Sequence, residues 1–147
     1  MFDLPIIVFK LQGDNNYIEL TAEDVSKDNY LNDYIVEGLL EIKAGIYSAS
    51  KQGFIFETKQ IYDFYHQMKN CYDSLDGEVV LENMDLDLSI TVSFGKMGRV
   101  VITGSYQEYP HINTKLCFEI TSNQSYIPDA LKNMQNFFDN LRVGCKN

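Results

Sequence analysis

Between residues 85 and 94 polar and apolar side chains alternate without a break. Leu86, Leu88, Ile90, Val92 and Phe94 share one parity, and Asp85, Asp87, Ser89, Thr91 and Ser93 share the other. Successive side chains on a strand point to opposite faces, so this run predicts a strand with one covered and one wet face. Ile112, Thr114, Leu116, Phe118 and Ile120 repeat the pattern against His111, Asn113, Lys115, Cys117, Glu119 and Thr121. Between the two runs, Gly95-Lys96-Met97-Gly98 reads as a tight hairpin and Arg99 to Tyr109 as the return strand, which Pro110 interrupts. An antiparallel meander with one solvated side is the expected result.

The first third also reads as strands. Pro5 to Leu11 is an apolar run, Gly13-Asp14-Asn15-Asn16 carries turn chemistry, and Tyr17, Ile18 and Leu20 resume the strand. The polar, acidic residues Thr21 to Asn29 predict a loop. Residues Tyr34 to Glu41 predict a strand with two partly covered faces, and Ala44 to Phe56 another, with a turn or bulge at Lys51-Gln52-Gly53.

Two segments change period. Ile61, Phe64, Tyr65, Met68 and Tyr72 fall at spacings of 3, 4, 3 and 4, a single helical stripe. Thr58 is the expected N-cap and Gly77 the left-handed exit. Ile127, Leu131, Met134, Phe138 and Leu141 form a second stripe, with Ser125 as its cap, Pro128 in the first turn and Gly144 at the exit. The order is strands, helix, strands, helix, a crude two-fold pattern without a residue-level repeat. The expected fold is α+β: antiparallel strand meanders packed by amphipathic helices near residues 58–74 and 126–142, within one acidic domain spanning residues 1–147.

Charge narrows the range of partners. The chain has 147 residues with 12 basic and 21 acidic side chains, a formal charge of −9. Direct DNA or RNA binding requires clustered Lys and Arg to neutralise phosphates, and here only Arg99 and Arg142 are arginines and no basic cluster forms. The longest apolar runs fall well short of the ~18 residues of a membrane span. Met1-Phe2-Asp3 opens no basic region with a long apolar core behind it, so the expectation is a cytoplasmic protein without a secretory leader.

Catalytic arrangements are missing from the sequence. It carries no nucleophile elbow, no Gly-rich phosphate loop, no HExxH and no Walker lysine. His66, one position after a stripe residue, and His111, after Pro110, read as surface histidines. Cys71, Cys117 and Cys145 are odd in number and widely spaced, which suits a reducing compartment. Cys71 and Cys117 read as small buried hydrophobes. Zinc binding is not expected, because the two histidines have no paired spacing with the cysteines. No metal, cofactor or catalytic residue is therefore assigned. Asp85 and Asp87 are a carboxylate pair on one strand face, but their hydroxyl-bearing neighbours predict solvent rather than the burial that a general acid needs.

The acids are unevenly spread. Between Leu11 and Ile42 eight carboxylates face Lys27 alone, and between Lys69 and Lys96 six stand without a base. A one-sided field of this kind accelerates association with a cationic partner. On charge and strand face, the expected partner-binding residues are Asp76, Glu78, Glu82, Asp85 and Asp87, with Glu37 and Glu41 second. Tyr106 and Tyr109 are candidate aromatic anchors or core residues.

Three stretches then carry a resemblance. They are Leu75-Asp76-Gly77-Glu78-Val79-Val80-Leu81, then Asp85-Leu86-Asp87-Leu88-Ser89-Ile90, and Gly98-Arg99-Val100-Val101-Ile102-Thr103-Gly104-Ser105-Tyr106. With Leu116-Cys117-Phe118-Glu119-Ile120-Thr121, Gln124-Ser125-Tyr126-Ile127 and the amphipathic helix that follows, they resemble the C-terminal half of the WapI-family bacterial immunity proteins, over about residues 54 to 141. The motifs are strand patterns with glycines and contain no catalytic signature. The resemblance implies an antitoxin that binds and neutralises the C-terminal domain of a cognate polymorphic toxin, often a nuclease, in the cytoplasm of the producing cell. It carries over no toxin-binding residue. The expected function is therefore a non-enzymatic immunity protein acting on a basic, nuclease-type toxin domain. The alternatives are an acidic interaction or small-ligand-binding domain, marked by an apolar pocket between sheet and helices, and last a small hydrolase using Asp85 or His66.

Overall fold

A computed structural model describes residues 3–28, 33–83 and 85–145. The chain forms two four-stranded antiparallel sheets and two helices. The first sheet runs in chain order through β1 (Ile6–Gln12), β2 (Tyr17–Asp28), β3 (Asp33–Ala44) and β4 (Tyr47–Glu57). Helix α1 (Thr58–Ser74) follows it. The second sheet runs through β5 (Gly77–Glu82), β6 (Leu88–Phe94), β7 (Arg99–Tyr106) and β8 (Leu116–Asn123), and helix α2 (Ile127–Cys145) closes the chain. Helix α1 lies against β5 and α2 against β1, so each helix flanks the first strand of the sheet that it does not follow. The α+β expectation holds, with the meanders divided between two sheets.

Each sheet buries one face. Ile18, Leu20, Val36, Leu40, Ile42, Phe54 and Phe56 of the first share one core with Val79, Leu81, Leu88, Ile90, Val92, Val100, Ile102 and Ile120 of the second. Both helices add their stripes to it. In α1 these are Ile61, Phe64, Tyr65 and Met68, as the spacing predicts. In α2 the buried line is Ile127, Ala130, Met134, Phe137 and Leu141, while Leu131 and Phe138 pack at its side. Phe138 is drawn off that line by its rings on α1, lying 5.4 Å from Tyr62 and 6.1 Å from Tyr65. The Tyr65 hydroxyl donates to Gln135 Oε1 at 3.0 Å, which ties the two helices.

The sheets meet closely at one corner. Ser122 Oγ on β8 donates to the Gln12 carbonyl at 2.6 Å. Gly13, in the β1–β2 turn, approaches β8 so nearly that a Cβ there would lie 2.1 Å from the Thr121 carbonyl oxygen. Only glycine permits that approach.

Several local expectations are corrected. Residues Thr21 to Asp28 belong to β2 and not to a loop, with a bulge between Ala22 and Asp24 opposite Gly38 and Glu37. Asn29, the last residue of the expected loop, lies outside the described residues. The polar stretch is accommodated because one face of this sheet is open to water. Leu86 is not on the strand face. It is 71% exposed in a turn with φ 56, and β6 begins at Leu88. Likewise β7 ends at Tyr106, short of the expected Tyr109, and β8 begins at Leu116, so Tyr109, Ile112 and Thr114 lie in the connecting loop, within which Pro110 falls. Gly77 has the expected positive φ, 102, but Leu75, at φ 55, turns left-handed first and caps the helix. Gly144 lies within α2, which runs through to Cys145. Ser125 falls in the 3₁₀ turn Gln124–Tyr126, where Asn123 Oδ1 accepts from its N–H at 2.9 Å. Cys117 is exposed and Cys71 half-buried, because Cys117 takes the outward parity of β8.

Thr58 is the first residue of α1 and not its cap. The cap comes from 26 residues away. Asp33, at the start of β3, accepts from the Lys59 N–H at 3.1 Å through Oδ2, and the Thr58 hydroxyl donates to its other oxygen. A carboxylate here satisfies a free amide and lies at the positive end of the helix dipole. Asp33→Ala is expected to lower the unfolding free energy by about 1–2 kcal/mol, read by urea denaturation, whereas loss of an ordinary surface charge changes it by less than about 0.5 kcal/mol.

Candidate functional site

The second sheet leaves one face uncovered. On β5, Val79 and Leu81 turn inward, so Glu78, Val80 and Glu82 turn outward. The register sets Glu78 opposite Ser93, Val80 opposite Thr91 and Glu82 opposite Ser89. These rows continue through Val101, Thr103 and Ser105 on β7 to Thr121, Glu119 and Cys117 on β8. Hydroxyls therefore line the middle of the face and carboxylates stand at both margins. Ser93 Oγ donates to Glu78 Oε1 at 3.3 Å. Among the described outward positions of these strands the single base is Arg99, at the corner beside the β6–β7 hairpin.

The turn from β5 to β6 adds Asp85 and Asp87, and Asn83 organises it. Asn83 is 4% exposed. Its Oδ1 accepts from the Leu88 N–H at 3.2 Å, and its Nδ2 donates to the Ile55 carbonyl at 3.2 Å and to the Asp87 carboxylate. The Gln107 N–H donates to the Asp87 carbonyl at 2.8 Å, which holds the turn against the end of β7. Asp85 is exposed and Asp87 half-buried. Asp76, also exposed, follows the end of α1, where its N–H donates to the Cys71 carbonyl at 3.2 Å. Burial, followed by the Asp76 charge, pushes the Cys71 thiol up.

The structure thus places Asp76, Glu78, Glu82, Asp85 and Asp87 along β5 and its two flanking turns. It does not bring Glu37 and Glu41 to them. Those two belong to β3, on the outward face of the first sheet, with Glu37 opposite Asp24 and Glu41 opposite Glu19. The two acidic segments therefore stand on different sheets. On the first sheet Tyr17 feels this directly: burial, then the Glu41 and Glu19 charges, raise its phenol above the usual value. Glu119 was missed by charge counting because it is isolated in sequence, although its outward parity was legible.

The aromatic candidates separate. Tyr106 is core, 7% exposed, with its ring 6.3 Å from Phe54, and Tyr109 is 47% exposed. Burial, with Asp87 and Glu108 nearby, pushes the Tyr106 phenol up to about 12. The fold thus favours the neutral phenol, and that contribution is present below pH 10 and lost as pH rises through about 12.

Both histidines are exposed, as expected: His66 lies 4.3 Å from the Tyr62 ring and His111 6.0 Å from that of Tyr109. Among the described residues no three His, Cys, Asp or Glu side chains are grouped to hold a metal, and no helix is long and apolar enough to cross a membrane. A cavity of about 890 Å³ between β1, α1 and α2 is lined mainly by charged and amide side chains, including Lys10, Lys69, Lys132 and Asp129. Its lining is as polar as it is apolar, where a small-molecule pocket between sheet and helices would be mostly apolar. Flat, polar, carboxylate-margined strands are suited to binding another macromolecule.

No curated protein and no solved structure matches the chain. The sequence profile of the Immunity protein WapI-like family matches residues 8–142, from within β1 almost to the end of α2. With both sheets and both helices inside that match, the chain belongs to the WapI-like immunity protein family.

Proposed function

We propose that this chain is a non-catalytic cytoplasmic inhibitor that neutralises the C-terminal domain of a cognate polymorphic toxin, a basic nuclease, by laying the open face of β5–β8 on its cationic surface. The observation that carries this reading is the set Glu78, Glu82, Glu119, Asp85 and Asp87 around one uncovered sheet of an immunity-family fold. A nuclease grips phosphate with lysine and arginine, and carboxylates on a rigid face offer those groups an alternative partner. Asp76 extends the same margin. Glu37 and Glu41 define a second acidic face, favoured by the paired Glu19 and Glu41 carboxylates, which gain from a cation between them.

The test is binding of purified candidate toxin domains from the same genome, measured over a salt series and paired with growth rescue on co-expression. The expected result is one tight partner, rescue of growth, and an association rate that falls about ten-fold from low to physiological salt. Failure of every candidate to bind, or an association rate indifferent to salt, would sink the reading.

A further inference from the structure

Where β4 leaves the hairpin and the β7–β8 loop crosses, the core opens to the surface. Ala49, on the inward register of β4 opposite Ile42, lines a pocket of about 380 Å³ with Tyr106, Leu116, Tyr109, Ile112 and Glu108. Tyr106 is its buried part. Its lip is formed by Tyr109 and Ile112, 47% and 45% exposed. That lip is already shaped: the Ile112 N–H donates to the Tyr109 carbonyl at 3.1 Å, and Gln107 Nε2 donates to the Ile112 carbonyl at 2.8 Å. Two large apolar side chains held beside an apolar recess mark a place where another surface fits.

The rim fixes what kind of surface. Lys51 pairs with Glu108 at 3.0 Å, its amine 5.9 Å from the Tyr109 ring centroid. Asp87 lies near enough to act electrostatically on both Lys51 and Tyr106. One base is thus set against two acids, Glu108 and Asp87, and the rim is net negative. A second copy of this chain would bring like rims together, which electrostatics opposes.

We infer that this pocket receives an aromatic or branched aliphatic side chain of the partner protein, flanked there by lysine or arginine. The inference rests on the reading of a basic toxin domain as partner. It divides the labour: the carboxylates govern how fast the partner arrives, and the pocket governs how long it stays.

The test uses the full chain in two-dimensional NMR with the peptide acetyl-Ala-Arg-Phe-Arg-Ala-amide, beside one analogue with both arginines as glutamate and another with the phenylalanine as alanine. The expected result is saturable shifts confined to Ala49, Tyr109, Ile112, Thr114 and their neighbours, with each analogue at least ten-fold weaker. Ala49→Phe, which fills the recess, is expected to abolish the shifts. Ile112→Asp, an exposed loop change, is expected to do the same and stands in should the filled variant not fold. Shifts elsewhere, equal binding of the glutamate analogue, or indifference to both substitutions would overturn the inference. So would concentration-dependent dimers dissolved by Ile112→Asp. No toxin takes part in the peptide experiment. Specific peptide docking without any toxin binding would therefore break the proposed function alone, and toxin binding without peptide docking would break this inference alone.

Discussion

Replacing Phe64 with alanine is expected to lower the unfolding free energy by about 3–5 kcal/mol, the usual range for deleting a buried aromatic ring. Phe64 is 1% exposed on α1, and its ring centroid lies 5.9 Å from that of Phe9 on β1. The same helix lies against β5, so this ring helps to hold the halves of the chain on one core. Domains of this size have about 5–15 kcal/mol in total, and at roughly 2–4 °C per kcal/mol the melting temperature falls by about 6–20 °C. Phe64→Leu, which keeps most of the volume, is expected to cost less than about 2 kcal/mol. Met97, fully exposed in the β6–β7 connection, is the control, with a change within about 0.5 kcal/mol on conversion to alanine. Urea denaturation measures all three. A loss below about 1 kcal/mol at Phe64 would mean that α1 is not seated in the core.

The second large effect concerns recognition. The combined variant Glu78→Gln, Glu82→Gln, Asp85→Asn is expected to slow association with the toxin domain about ten-fold at low salt and to change dissociation little. Each amide keeps the shape of the side chain that it replaces, and all three positions are exposed, so stability is expected to hold within about 0.5 kcal/mol per site. Asp87 is left out deliberately. The Asn83 amide donates to its carboxylate, and an amide in its place would disturb the turn as well as the charge. Glu37→Gln with Glu41→Gln, on the other sheet, is expected to leave association unchanged. Surface plasmon resonance over a salt series reads both variants. If the pair on β3 slows association and the triple variant does not, the docking face is that of the first sheet.

Much of the fold is legible from local pattern. The alternation over residues 88–94 and the apolar lines of 58–74 and 127–141 depend on periods of 2.0 and 3.6, which the backbone imposes whatever surrounds it. Boundaries are legible only where a residue forces them. Pro110 falls inside the loop, but β7 already ends at Tyr106, and Ile112 and Thr114 mimic the parity of the strand that starts at Leu116. The acidic stretch from Thr21 is β2 because its neighbours β1 and β3 supply backbone partners and its outward face meets water, conditions set by other strands. Asp33 caps α1 from across the fold, and a search for a local Ser or Thr finds Thr58 instead. Of the candidate site, the five acids around β5 are grouped in sequence because a strand and its turns keep neighbours together. Glu119 joins them only through the pairing of β6 with β7 and of β7 with β8.

The sequence by itself determined both helices, the strands whose side chains alternate cleanly together with their apolar parity, and that carboxylates outnumber bases along its first two thirds. These are consequences of side-chain order, and order survives folding. Tertiary structure decided that the strands divide into two sheets, that Glu37 and Glu41 stand on a different sheet from Glu78 and Glu82, and that the core opens between Ala49 and Tyr109. Those outcomes follow from which edge each helix flanks and which buried faces meet, and such non-local contacts form only when the whole chain closes on one core.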